Sequence, residues 1–129
     1  MLTEKDYCDY DTCVAFRELG YKGISRYFYA TKESPLRRYS YDQILTTRIA
    51  DAVGHTLAIH LYSAQKWLRE EKKIEVLALS KGMVGAPYDA QVYTEDYVIQ
   101  EGIEYNSYEE ALLKGIKEAV KILTNSKNE

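Results

Sequence analysis

The sequence predicts an α+β fold, an antiparallel sheet of about four or five strands packed against two or three helices. Three observations predict it. The stretch Tyr62–Leu79 reads as a short amphipathic helix running directly into a strand. Runs at 74–79, 88–94 and 97–100 have strand character and are separated by short turns, which makes them an antiparallel meander. Ser107-Tyr-Glu-Glu110 is a capping box ahead of a helical apolar stripe. With 129 residues, the chain is expected to be a single domain over 1–129, long enough to bury a core without disulfides or metals. Its polar ends, about 1–9 and 124–129, are expected to be loosely held.

From the N-terminus, Asp11 is placed to cap a helix over Thr12–Leu19, with Val14, Ala15, Phe16 and Leu19 as its apolar face. Cys13 should pack there as a small hydrophobe, and Gly20 suits the left-handed residue that ends a helix. The aromatic run Ile24–Thr31 reads as a strand, and Lys32–Pro35 as a turn. Leu36–Tyr41 reads as a second strand paired with the first. Alternation would then put Arg37, Tyr39 and Tyr41 on one side, and Leu36, Arg38 and Ser40 on the other.

The segment Asp42–Gly54 has two readings, a helix or an ordered loop. Ile44, Leu45, Ile49 and Val53 have helical spacing, with Asp42 as cap and Gly54 as stop, but two threonines weaken the preference. Thr56–Leu61 reads as an extended entry to the central helix, although a continuous helix over 56–72 would also align Leu57, Leu61, Ala64 and Leu68. Ser63 is the expected cap of that helix. Ala64, Trp67 and Leu68 form its stripe, and Lys72 and Lys73 lie at the negative end of its dipole. Trp67, the chain's one tryptophan, is either a core anchor or an exposed partner contact. Val and Ile then favour a strand over Ile74–Leu79.

Lys81–Gly85 reads as a turn, and Pro87 opens the strand Tyr88–Thr94. Glu95-Asp96 turns again, and Tyr97–Gln100 forms a third strand with room to continue to Tyr105. In the final helix Tyr108, Ala111, Leu112, Ile116, Ala119, Val120 and Leu123 form the buried stripe, and Glu110 and Lys114 have ion-pair spacing. Gly115, unfavourable by about 1 kcal/mol inside a helix, implies a close approach to the sheet. Similar helix starts near 10, 62 and 108 reflect shared capping chemistry, since their spacing is irregular.

The charge balance, 17 basic against 20 acidic residues, lacks the excess of a nucleic-acid footprint. The 13 tyrosines cannot all be buried, because each hydroxyl needs a partner or water. Cys8 and Cys13 do not have C-x-x-C spacing, and two thiols without a leader pattern are expected of a reducing cytoplasm. No apolar run approaches the ~20 residues that span a bilayer, so no membrane partner is expected.

Chemistry-bearing patterns are sparse. His55 and His60, with Asp51 nearby, have poor spacing for a metal, and none is expected. Cys8 or Cys13 with a histidine is a weak nucleophile pair, because a thiol on an apolar face is inert. Lys81-Gly-x-x-Gly85 is a hairpin turn rather than a phosphate loop. The acidic pairs Glu70-Glu71, Glu95-Asp96 and Glu109-Glu110 are solvated. No catalytic residue and no cofactor are expected. One arrangement stands out as a candidate interaction strip: Arg37, Arg38, Tyr39 and Tyr41, with Arg26, Tyr27 and Tyr29 on the neighbouring strand. Arginine and tyrosine are enriched at protein interfaces, and the same pairing binds single-stranded nucleic acid. The plainer account, which the residues favour, is an aromatic-rich sheet packed under helices.

Four segments, in order, carry a family resemblance: Thr12-Cys-Val-Ala-Phe-Arg-Glu-Leu-Gly-Tyr21, Tyr27-Phe-Tyr29, Ala64-Gln-Lys-Trp-Leu-Arg-Glu70 and Ser107-Tyr-Glu-Glu-Ala-Leu-Leu-Lys-Gly-Ile116. The chain resembles a group of small uncharacterised proteins from gut Bacteroidetes genomes, prophages and mobile elements. Family members often carry Ala-Pro before the middle helix, where His60-Leu61 stands here. The matching motifs are structural, so the resemblance implies a shared origin and fold and transfers no functional residue. The resulting expectation is a non-enzymatic protein-interaction module of phage or mobile-element origin, with an unknown protein partner or self-association. The alternatives are a nucleic-acid-binding accessory protein and a small enzyme.

Overall fold

The structure, a computed structural model, describes residues 4–39, 44–80, 87–96, 98–100 and 105–127. Contacts divide the chain into two compact units, Met1–His60 and Leu61–Glu129.

In the first unit the described part of the polar lead-in, from Glu4, contributes to the core. A 3-10 turn over Glu4–Asp6 leads to Tyr7 and Cys8, both buried. Asp9, not Asp11, caps the first helix, α1 (Tyr10–Glu18), by accepting the Thr12 N–H at 2.9 Å. Asp11 thereby falls inside the first turn. The buried face is Thr12, Cys13 and Phe16, while Val14, Ala15 and Leu19 are half-buried. Gly20 ends α1 at φ +98°. Its N–H reaches Arg17 O, the Tyr21 N–H reaches Phe16 O, and the Tyr21 ring packs edge-on against Phe16 at 5.9 Å. These are the two bonds and the apolar contact of a Schellman cap.

The expected strand over 24–31 is two, β1 (Ile24–Ser25) and β2 (Tyr27–Tyr29). The Ser25 hydroxyl accepts the Tyr27 N–H at 3.0 Å and turns the chain at Arg26. β3 (Arg37–Arg38) pairs antiparallel with β2, as expected. Residues 40–43, including the expected cap Asp42 and Tyr41 of the strip, lie outside the described residues. β4 (Leu45–Thr46) pairs with β1, and α2 (Thr47–Ala52) follows, capped by the Thr46 hydroxyl on the Ile49 N–H at 3.2 Å. The helical reading of 42–54 therefore holds only for its second half. A second Schellman cap closes α2: Gly54 has φ +79°, its N–H reaches Asp51 O, and the His55 N–H reaches Ala50 O. β5 (Thr56–Leu57) pairs with β2, and His60 bridges to Tyr7. The extended reading of 56–60 holds, and the continuous helix over 56–72 does not.

In the second unit α3 spans Leu61–Lys72. Ser63 lies inside its first turn and is exposed, so it is not the cap. Leu61, Ala64 and Leu68 are the buried stripe. Trp67 is half-buried, with the Lys72 ammonium 5.4 Å from its ring centroid, so Leu68 takes the core position expected of it. The meander follows as β6 (Glu75–Ser80), β7 (Tyr88–Tyr93) and β8 (Val98–Gln100), antiparallel in that order. Val76 and Ala78 are buried, and Tyr105 bridges back to Tyr88. The turn at 81–86 and Tyr97 lie outside the described residues.

α4 (Tyr108–Lys127) is capped by the Ser107 hydroxyl on the Glu110 N–H at 3.1 Å. It buries Ala111, Leu112, Ile116, Ala119 and Val120. Helix persists through 124–127, where a loose tail was expected. Lys114 pairs with Glu118 at 3.7 Å, one turn onward.

The class is α+β with antiparallel pairing in all three sheets of the described residues. Their orders are β1-β4, β3-β2-β5 and β6-β7-β8, in place of one sheet of four or five strands. Strands of two and three residues are too short to carry a wider sheet. No helix among the described residues is long and apolar enough to cross a membrane.

Candidate functional site

β3 is the edge strand of its sheet, and both of its arginines are exposed. Register places Arg37 opposite Phe28 and Arg38 opposite Tyr27. Cross-strand partners share a face, so the two guanidinium groups leave the sheet on opposite sides. A row of arginines also discourages another strand from adding to this edge.

The described aromatic members of the strip, Tyr27, Tyr29 and Tyr39, pack against other groups of the unit. Tyr39 stacks on Phe28 with centroids 4.1 Å apart, and Phe28 stacks on His55 at 4.4 Å. Tyr39 Oη and His55 Nδ1 are hydrogen-bonded at 2.8 Å. The cap on α2 delivers His55 to this cluster, and the Tyr39 N–H to Arg26 O bond delivers Tyr39. Burial pushes the Tyr39 phenol above its ordinary value. Tyr27 packs on Tyr7 at 4.9 Å. Tyr29 is buried and donates to Cys8 O at 2.8 Å. Among the described residues the strip therefore separates into exposed arginines and half-buried or buried tyrosines.

Cys8 and Cys13 are both free and buried. The Cys13 thiol donates to Cys8 O at 3.6 Å and accepts the Ile59 N–H at 3.4 Å. His60 lies edge-on to Tyr7 at 5.2 Å. Each histidine thus packs against aromatic rings, and each thiol lies in the core. Among the described residues no group of three or more His, Cys, Asp or Glu is placed to share a metal ion.

A feature that the sequence does not announce lies on β1, β4 and α2. Ile24 is 63% exposed, Ile44 47%, Ile49 51% and Val53 58%. Ile24 pairs with Thr46, and Ile44, two residues earlier, falls on the same side of the ribbon. Thr46 caps α2, on which Ile49 lies one turn before Val53 at its end. The Thr47 hydroxyl donates to Gly23 O at 3.4 Å and ties the two segments together. The helical spacing of Ile44, Ile49 and Val53 suggests a core stripe, and the structure corrects that reading. A six-residue helix buries one side only, and Ala50 and Leu45 occupy that side.

The same part of the chain carries exposed cations. Segments 22–26, 37–38 and 44–53 hold exposed Lys22, Arg26, Arg37, Arg38 and Arg48, against one acid, Asp51. Asp51 is 3.2 Å from the Arg17 guanidinium. β1, β4 and α2 thus combine exposed branched aliphatics with exposed cations at Lys22, Arg26 and Arg48. No family model, curated protein or solved structure matches the chain.

Proposed function

We propose that this chain is a non-enzymatic protein-interaction module of phage or mobile-element origin, working in the cytoplasm. Its binding face is formed by β1, β4 and α2, with at most one of the two β3 arginines on the same side. One observation carries the reading: Ile24, Ile44, Ile49 and Val53 are exposed together. Leaving apolar area in water costs about 25 cal/mol per Å² relative to burying it, and a partner recovers that term on docking. The exposed cations add long-range attraction to an acidic partner and fix orientation.

Nucleic acid is the second reading, favoured by the same five exposed cations. Sequence-tolerant strand binding needs open aromatic platforms. Tyr39 and Phe28 are stacked on each other, which favours protein over nucleic acid.

The test is affinity capture from host lysate with the tagged chain, with and without nuclease. Ile49→Asp and Arg37→Ala/Arg38→Ala serve as variants. The expected result is a specific protein that survives nuclease and is lost with Ile49→Asp. Capture that ignores Ile49→Asp, or recovery of nucleic acid alone, overturns the reading.

A further inference from the structure

We propose that the occupant of this face is a second copy of the same chain, engaged through the acidic corner between β7 and β8. The inference rests on the interaction reading above and names its partner. Charge is distributed unevenly along the sequence. Residues 22–48 carry six Lys or Arg and two acids, whereas residues 82–113 carry seven acids and no Lys or Arg. Within the latter stretch Glu95 and Asp96 are exposed side by side, and Val98 beside them is 55% exposed. The corner therefore offers two adjacent carboxylates and an exposed aliphatic, where the basic face has Asp51 as its one acid.

Shape agrees with charge. A cavity of about 350 Å³ opens at this corner, lined by Ile74, Ile122 and Thr94 together with Glu95 and Asp96. Its other wall is Lys72 and Lys73. Neither ammonium is idle there: Lys73 Nζ donates to Glu70 O at 2.9 Å, and Lys72 lies over Trp67. Two isoleucines beside two exposed carboxylates suit an aliphatic followed or preceded by a cation, and Arg48-Ile49 is such a pair, exposed at both positions. The contact joins two different surfaces of the chain, so it can close reciprocally as a two-fold dimer or propagate as a ring or open chain.

Sedimentation velocity on the full chain, across concentration and at low and high salt, tests this. The expected result is self-association at low salt, weakened about tenfold where the Debye length falls to a few Å. Arg48→Glu alone and Glu95→Lys/Asp96→Lys alone should each stay monomeric, with native circular dichroism because all three positions are exposed. An equal mixture of the two variants pairs each altered surface with a complementary one and should associate again. A monomer at every concentration overturns the proposal, as does association indifferent to salt and to Arg48→Glu, or a mixture that stays monomeric. Co-sedimentation with phosphatidylserine vesicles or with a single-stranded oligonucleotide, lost in Arg48→Glu, would give the face to that ligand and also overturn it. If the chain is monomeric while Ile49→Asp still abolishes capture of another protein, the second copy is excluded and the interaction reading stands.

Discussion

Gly115 shows how one residue records the packing around it. Glycine in a helix interior costs about 1 kcal/mol against alanine, so substitution by alanine should stabilise α4 if the site has room. It has none: a Cβ there would lie 2.5 Å from Val76 Cγ1. Valine is branched at Cβ and cannot swing away without leaving its rotamer. Overpacking costs about 1–3 kcal/mol, which exceeds the gain in propensity. Gly115→Ala should therefore lower stability by about 1 kcal/mol in urea unfolding. Adding Val76→Ala should relieve the clash, so the double variant loses less than the sum of the two single losses. Strict additivity would show that the close contact is not the cause. The sequence announces this approach, because a glycine in mid-helix forgoes propensity that a neighbour pressed against the helix makes unusable. It could not name Val76, since β6 and α4 are brought together only by the fold.

At the scale of elements, helix ends decide what is legible. The start of α4 can be read because a serine three residues before a glutamate states its cap outright. The meander can be read because β6 and β7 are long enough to show their alternation. The middle of the first unit cannot. Two-residue strands carry no period, and Thr46 serves at once as strand residue and helix cap, so the apolar spacing of 44–53 suggests a longer helix with a buried stripe. That suggestion hides the exposed face. α3 offers a test of end chemistry. The residue after it, Lys73, sits at φ +56°, where glycine would be unstrained. The left-handed region costs a residue with a Cβ roughly 1–2 kcal/mol. Lys73→Gly forfeits the Lys73 ammonium bond to Glu70 O and some unfolded-state restriction. The balance should still be a gain of about 0.5 kcal/mol or more, read from urea unfolding. A loss would show that the ammonium, not the backbone, sets the end of α3.

Over the whole molecule the two units differ in how they meet alkali. The first unit holds Tyr7, Tyr21 and Tyr29, all buried and all pushed above the ordinary phenol value, chiefly by burial. Tyr7 is raised from 10.0 to about 12, with Tyr27 and Asp6 adding to the effect. A folded value above the unfolded one means that the unfolded chain releases its proton first. The stability that Tyr7 contributes is therefore complete below pH 10.0 and is lost as pH climbs through about 12. Tyr21 and Tyr29 act in the same direction. In the second unit Tyr108 is raised in the same way, and it is only half-buried. Trp67, the sole tryptophan, belongs to the second unit and reports on it. An alkaline titration should show tyrosine ionisation and partial loss of far-ultraviolet dichroism while the emission maximum of Trp67 is still native. Tyr7→Phe removes one of the linked protons and should move the first transition to higher pH, leaving that of Trp67 in place. Coincident transitions by all three probes would mean that the units unfold as one cooperative body, and the separation of their cores would then carry no thermodynamic weight.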